Sequence, residues 1–423
     1  MPERSLNSKK VVLTAVAVLL LFLMATGLTA CYPYLIERTP TLTIADPGFQ
    51  EITSIPATTP TPAAVQTTTE LPAPTATRTA QDIDAEIESI ILKSLQRRST
   101  AIKIDAAIEP RSIPEHEIEV FVDRVFAVYQ RVFLNHPEFF YLSGSINVNY
   151  SREGIQGYLS SMTVKPVYRD SFADLNEQQL DQQIQEVLAA AQSIKDKIVG
   201  QTSVPWKQLL LLHDYLVRTI VYESSQDQQF NNVYSALIGK KTLCQGYAQS
   251  FQMIAQSLGF KVMMVMGESE GIGHAWNIVK LDGQYYHIDV TFDDPVPDGG
   301  SASPIQHVHF LRSDALMDGS HTWKRADYPQ CPSDGAHYYR KQDLTVDSLD
   351  SFSAKLSTYV DEIDFSKKQT NRLELLFSGD QVPDTGDFEE IVRSVLLKSA
   401  PATSVHYSNQ VNLGVIIVDI IPD

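Results

Sequence analysis

A cysteine, a histidine and an aspartate follow one another at Cys244, His274 and Asp289. Side chains of these types can form a nucleophile, its base and the group that orients the base. The thiolate attacks, the imidazole takes the thiol proton, and the carboxylate fixes the imidazole tautomer. Around Cys244 the local pattern is helical. Tyr247, Ala248, Phe251, Ile254, Ala255 and Leu258 form one apolar stripe that Gly259 terminates, which places Cys244 in the first turn. At a helix start, free N–H groups and the positive end of the dipole favour a thiolate and supply oxyanion donors. A structural cysteine at the edge of the stripe accounts for the spacing equally well.

The elements that must position His274 and Asp289 are strands. Phe260 to Met266 reads as one strand and Gly267 to Gly273 as a glycine-rich loop. His274 to Leu281 and Gln284 to Phe292 read as two strands joined by Asp282-Gly283, a dipeptide typical of a two-residue hairpin turn. Such a turn opposes Leu281 to Gln284, and the same register opposes His274 to Thr291 and Trp276 to Asp289. His274 and Asp289 then share a face as diagonal neighbours, roughly 7–8 Å apart at the backbone and within side-chain reach.

Three blocks carry a family resemblance: Cys244-Gln245-Gly246-Tyr247-Ala248, His274-Ala275-Trp276-Asn277, and Asp289-Val290-Thr291-Phe292-Asp293-Asp294. In order and neighbours they resemble the transglutaminase-like superfamily, a papain-like group of cysteine enzymes. The resemblance covers about residues 205–325, with Leu212 to Leu216 upstream and His309-Phe310-Leu311 to His321 downstream. It implies an α+β fold in which the cysteine heads a helix packed on an antiparallel sheet that supplies the histidine and aspartate. It also implies acyl transfer on peptide or side-chain amides through a thioester, hydrolytic or of the transglutaminase type, with no metal and no cofactor. A catalytically silent module that holds peptide or cell-wall polymer on the same fold is the alternative. Phe292 departs from the tryptophan often found after the threonine, a change expected to alter packing only. Tyr234 is a candidate for oxyanion support, with packing as its other reading.

Other groups weigh less. His307, His309, His321 and Cys331 could form a zinc set, but their spacing fits no metal motif. His213 reads as a satisfied buried histidine. A Cys244–Cys331 disulfide would silence the site, and otherwise Cys331 is a lone, partly buried thiol.

The N-terminal residues Arg4, Lys9 and Lys10 precede an uncharged stretch over 11–30 that ends Leu28-Thr29-Ala30-Cys31. Residues 1–30 therefore read as an export signal. Their end resembles the lipobox of bacterial lipoproteins, which implies cleavage before Cys31 and lipid attachment to it. An uncleaved anchor helix is the alternative. Either reading places the rest on the outer face of the cell membrane. Residues 31–80 are rich in Thr and Pro and read as an extended linker. Beyond it, 81–200 reads as an α+β domain, 201–340 as the domain with the chemistry, and 345–423 as a small α/β module. At 423 residues and a net charge of −17, the chain is long enough for several cores and unsuited to nucleic acid. A peptide or protein substrate, such as cell-wall peptide, is the expected partner.

Overall fold

A computed structural model describes residues 79–107, 113–155, 157–269, 271–294, 305–367, 369–379, 381–399 and 405–422. The export segment, Cys31 and the Thr/Pro stretch up to residue 78 lie outside them. Two compact units are present, one within residues 37–134 and 142–169 and the other holding 135–141 and 170–423.

The first unit contains α1 (Ala80–Gln96), β1 (Ile102–Lys103), α2 (Ile118–Asn135), β2 (Leu142–Glu153) and β3 (Tyr158–Tyr168). Thr79 starts α1 with a capping box shared with Asp82. The helices bury Ile87, Ile91 and Leu95 from α1 and Phe121, Val125, Val128 and Val132 from α2. The three strands form an antiparallel sheet in the order β1-β3-β2.

In the second unit come α3 (Asp170–Ala173), α4 (Glu177–Gln201), α5 (Pro205–Thr219), β4 (Val221–Tyr222), α6 (Val233–Leu237), β5 (Lys241–Thr242) and α7 (Cys244–Ser257). A five-stranded antiparallel sheet follows, with β6 (Val262–Ser269), β7 (Ile272–Leu281), β8 (Gln284–Ile288), β9 (Phe310–Arg312), α8 (Asp314–Met317) and β10 (His321–Trp323). Its order is β10-β6-β7-β8-β9. The chain ends with α9 (Tyr338–Lys341), β11 (Thr345–Val346), α10 (Leu349–Asp361), β12 (Asn371–Phe377), α11 (Thr385–Ser399), β13 (Val405–Asn412) and β14 (Val415–Pro422). These strands form a second sheet, β11-β12-β14-β13, and a core of Phe352, Leu356, Phe388, Val392, Ile416 and Val418 joins it to α10 and α11.

Pro137–Phe139 is a 3-10 turn and β2 starts at Leu142. Phe140 packs against Phe172 and Tyr234, at 5.5 and 6.3 Å between ring centroids, so these rings wedge elements together. The glycine-rich stretch 267–273 is mostly strand, since β6 runs to Ser269 and β7 starts at Ile272. Gly267 stands opposite His274, and a Cβ there would lie 2.6 Å from Trp276 Cη2, so glycine serves close packing instead of a loop. At the end of the chain the hairpin turns at Leu413-Gly414, where φ is positive at both residues. Ser408 to Gln410 stand in the edge strand β13.

Candidate active site

Cys244 is the first residue of α7, where the sequence placed it. The amphipathic reading of this helix was too narrow, because every residue from Cys244 to Ala255 is buried. α7 is a central helix enclosed on all sides. Its N-terminus is held by Asn231, whose Oδ1 accepts from Gln245 N at 2.9 Å. A Cβ on Gly246 would fall 1.9 Å from Thr242 Oγ1 and 2.7 Å from the Asn232 carbonyl. No other residue therefore lets the helix start seat against that wall. Asn277 on β7 donates from Nδ2 to the Ala248 carbonyl at 3.1 Å, and the Tyr247 hydroxyl donates to Asp294. Together they tie the helix to the sheet and to the turn after β8.

His274 lies on β7 and bonds Asp289 Oδ2 through Nε2 at 2.6 Å. Asp282 and Gly283 both adopt positive φ, and the expected register runs from Leu281–Gln284 up to Asn277–Ile288. There the strand stops, four residues short of Phe292. The ladder pairs His274–Thr291 and Trp276–Asp289 do not form. Instead Asp289 Oδ1 accepts from the backbone N–H of Thr291 at 2.9 Å and of Phe292 at 3.2 Å, an Asx-type turn. That turn aims the second carboxylate oxygen back at His274. The imidazole stacks on Trp276 and meets the Phe292 ring edge-on at 4.9 Å, so Phe292 does act in packing.

His321, from the edge strand β10, bonds the same Asp289 Oδ2 through Nε2 at 3.0 Å. The sequence reading had given it no part beside Asp289. Burial opposes ionisation of Asp289, but the electrostatic attraction and hydrogen bond of His274, with the His321 bond, hold its carboxyl well below the ordinary range. Burial pushes His321 down despite the Asp289 bond. A neutral His321 gives its Nε2 proton to Asp289, so its Nδ1 accepts from the Ser320 hydroxyl at 2.7 Å. With Nε2–H of His274 also directed at Asp289, His274 Nδ1 is left as a proton acceptor.

A second network lies alongside. His213 Nδ1 bonds Asp214 at 3.0 Å and its Nε2 bonds Asp293 at 3.1 Å; Asp214 also receives His307, and Asp293 receives His309. His213 is thus the satisfied buried histidine expected. Burial works against its charge, but the bonds to Asp214 and Asp293 prevail and raise it to about 9. A raised histidine stabilises fully below its unfolded value near 6.5 and loses that contribution as pH climbs through about 9. The expected loss between pH 7 and 10 is about 2–3 kcal/mol. Urea unfolding of the wild type and His213→Gln at both pH values checks this; equal losses in the two proteins would remove His213 as the cause.

The zinc set of the sequence reading is dispersed. His307 stands with His213 and Asp214, His321 with His274 and Asp289, and Cys331 with His287 and Asp314. In the last group Trp276 Nε1 donates to His287 Nδ1 at 2.9 Å, so His287 Nε2 carries the proton given to Asp314. Cys331 is completely buried, not partly, and burial raises its thiol to about 12. Cys244 and Cys331 are not joined in a disulfide, which corrects the disulfide alternative. The Tyr234 hydroxyl donates to Glu186 at 3.1 Å, and its ring packs on Phe140 and Phe172.

A sequence profile described as the Transglutaminase-like superfamily matches residues 192–290. Kyphoscoliosis peptidase of Homo sapiens is 31% identical over 131 residues, which cover 26% of this chain and 20% of that protein. The chain thus spans only a fifth of that relative's length. A solved structure described as a TGase is 14% identical with a TM-score of 0.25, over 41% of this chain and 50% of that one. The periplasmic domain of TgpA from Pseudomonas aeruginosa is 15% identical with a TM-score of 0.21, over 34% and 60%. Superpositions this loose carry no weight, and the family rests on the sequence match together with the order of the three blocks in the α+β fold. Residues 192–290 of this chain match the transglutaminase-like superfamily, within the α+β unit that holds the three blocks.

Proposed function

We propose that the chain is a cysteine acyl-transfer enzyme in which Cys244 is the nucleophile, His274 the base and Asp289 its orienter. The His274–Asp289 hydrogen bond of 2.6 Å carries this reading, on a sheet bonded to the helix that Cys244 heads. The Cys244 thiol gives its proton to His274 Nδ1 while sulfur bonds the carbonyl carbon of an amide. The imidazolium then protonates the departing nitrogen as the C–N bond breaks, and a thioester remains. Water, or an amine in the transglutaminase variant, gives a proton to His274 as it attacks. The thiol leaves and recovers that proton. The start of α7 supplies positive field and backbone amide for the oxyanion, with the Cys244 N–H as the assigned donor.

Hydrolysis is preferred, because water is abundant at a cell surface and the sequence shows no second amine site. A peptide or protein, such as cell-wall peptide, is the proposed substrate. The silent binding module is favoured by one observation, the burial of Cys244 at 2% and His274 at 7% exposure. Incubating the full chain with a peptide library, with and without an added primary amine, separates these readings. Amide loss blocked by a thiol-directed competitor, without amine incorporation, is the expected result. Saturable peptide binding with no product would favour the module.

We further propose that Cys31 carries lipid and tethers the protein to the outer face of the membrane, motivated by Leu28-Thr29-Ala30-Cys31. Cys31→Ala should lose labelling by a clickable fatty acid. Mass spectrometry that finds residue 1 still joined to Tyr32 in the wild type would favour an anchor helix. Among the described residues, no helix is long and apolar enough to cross a membrane.

A further inference from the structure

Among the described residues, two trios outside the proposed triad bring metal-ligating atoms within 4.8 Å of one another: His213, Asp214 and His307, and His287, Asp314 and Cys331. Their hydrogen bonds tell them apart. His287 takes the Trp276 indole proton on Nδ1 at 2.9 Å. An indole nitrogen can only donate, so the neutral His287 ring keeps its own proton on Nε2, aimed at Asp314. No lone pair of His287 is left for a metal ion.

The His213 trio is built the other way. His213 Nδ1 lies 3.0 Å and His307 Nε2 2.9 Å from one and the same oxygen, Asp214 Oδ1. Tetrahedral zinc with bonds of about 2.0–2.1 Å sets its ligand atoms roughly 3.3 Å apart. Each nitrogen need therefore retreat only a few tenths of an ångström for an ion to replace the protons between them. The far nitrogen of each ring faces a further carboxylate. His213 Nε2 bonds the fully buried Asp293 at 3.1 Å, and His307 Nδ1 stands 3.9 Å from Glu374 Oε2. Ligating histidines rely on such partners, because a proton held on the far nitrogen leaves the near one as a lone pair. Packing fixes the rings: His307 stacks on Tyr338 with centroids 3.9 Å apart, and Phe310 meets His213 edge-on at 5.3 Å. Asp214 provides the approach from solvent, since its side chain is 28% exposed.

We propose that His213 Nδ1, Asp214 Oδ1 and His307 Nε2 bind one divalent transition-metal ion of the zinc type, with water in the fourth position. Two imidazoles and one carboxylate suit such an ion, whereas calcium and magnesium seek oxygen ligands throughout. Binding releases the proton between His213 and Asp214 to solvent and moves the His307 proton to Nδ1, on the Glu374 side. The ion ties α5, which carries His213 and Asp214, to the segment before β9, which carries His307. This site goes beyond the acyl-transfer reading and does not depend on it.

Calorimetric titration of the full chain, stripped with a chelator and desalted, with zinc chloride alone tests the site. Saturable binding of one zinc per chain is expected, with a rise in melting temperature. His307→Gln keeps an amide N–H for Asp214 but lacks the ring nitrogen. It should melt as the stripped wild type does and lose at least about tenfold in zinc affinity. His213→Gln should lose as much. Cys244→Ala and His321→Gln should bind as the wild type does, which separates this site from metal capture at the proposed active site, where His274, Asp289 and His321 also converge. Absence of saturable zinc binding, unchanged affinity in His307→Gln or His213→Gln, or loss of binding in Cys244→Ala or His321→Gln would each overturn the proposal.

Discussion

Cys244→Ala should abolish turnover, by about 10⁶-fold if the triad acts as a unit, and should remove all labelling by thiol-directed probes among the described cysteines. Cys331 provides an internal control. It is completely buried and its thiol is pushed up to about 12, so no appreciable thiolate exists there near neutral pH. One modified site among the described cysteines, lost with Cys244, is therefore the expected stoichiometry. His274→Ala separates nucleophile from base. The thiol remains but loses its proton acceptor, so labelling at neutral pH should fall and recover as pH approaches the unperturbed cysteine value of about 8.5. Full labelling of His274→Ala at neutral pH would remove His274 as the base. Labelling at Cys331 but not at Cys244 would favour the silent module.

The His274–Asp289 contact was legible in the sequence because it depends on a short-range rule. Asp282-Gly283 admits a two-residue turn with positive φ at both positions, and that turn fixes the register from Leu281–Gln284 to Asn277–Ile288, which leaves Asp289 beside the His274 strand. The end of β8 was less visible. Asp289 satisfies backbone N–H groups with its own side chain, and this alternative to the ladder beats further strand pairing in a run, Val290-Thr291-Phe292, that is otherwise strand-like. His321 was not legible as a partner at all. It sits on a three-residue strand, comes 32 residues after Asp289, and reaches it from beyond β6. No periodicity records such a crossing. The same holds for His213 and Asp293, 80 residues apart. Gly246 and Gly267 were visible only as glycines; the close approaches that require them belong to the packed structure.

Asp289→Asn should lower turnover by about 10⁴-fold with a smaller loss of thiol labelling. The reason lies in the two sides of the carboxylate. Oδ1 receives the backbone N–H groups of Thr291 and Phe292, and only an oxygen can serve there, so the asparagine amide must turn its NH₂ toward the Oδ2 position. That position now faces Nε2 of both His274 and His321, and the new donor requires a lone pair from each. His321 can comply at small cost, because its Nδ1 proton would then be accepted by the Ser320 hydroxyl. His274 complies by carrying its proton on Nδ1, the nitrogen needed to accept from the thiol. The base is thus held in the wrong tautomer while the fold is kept. Labelling declines less, because the thiol can still lose its proton to solvent and the probe needs no protonated leaving group. His321→Gln gives the contrasting case: its side-chain NH₂ can replace the donor to Asp289, leaving the His274 tautomer in place, so turnover should fall no more than about tenfold. Steady-state rates on whichever peptide the library identifies, together with melting curves for both variants, measure the difference. Unchanged turnover in Asp289→Asn would end the triad reading, and a His321→Gln loss as large as that of Asp289→Asn would make both residues props of the fold instead of parts of the chemistry.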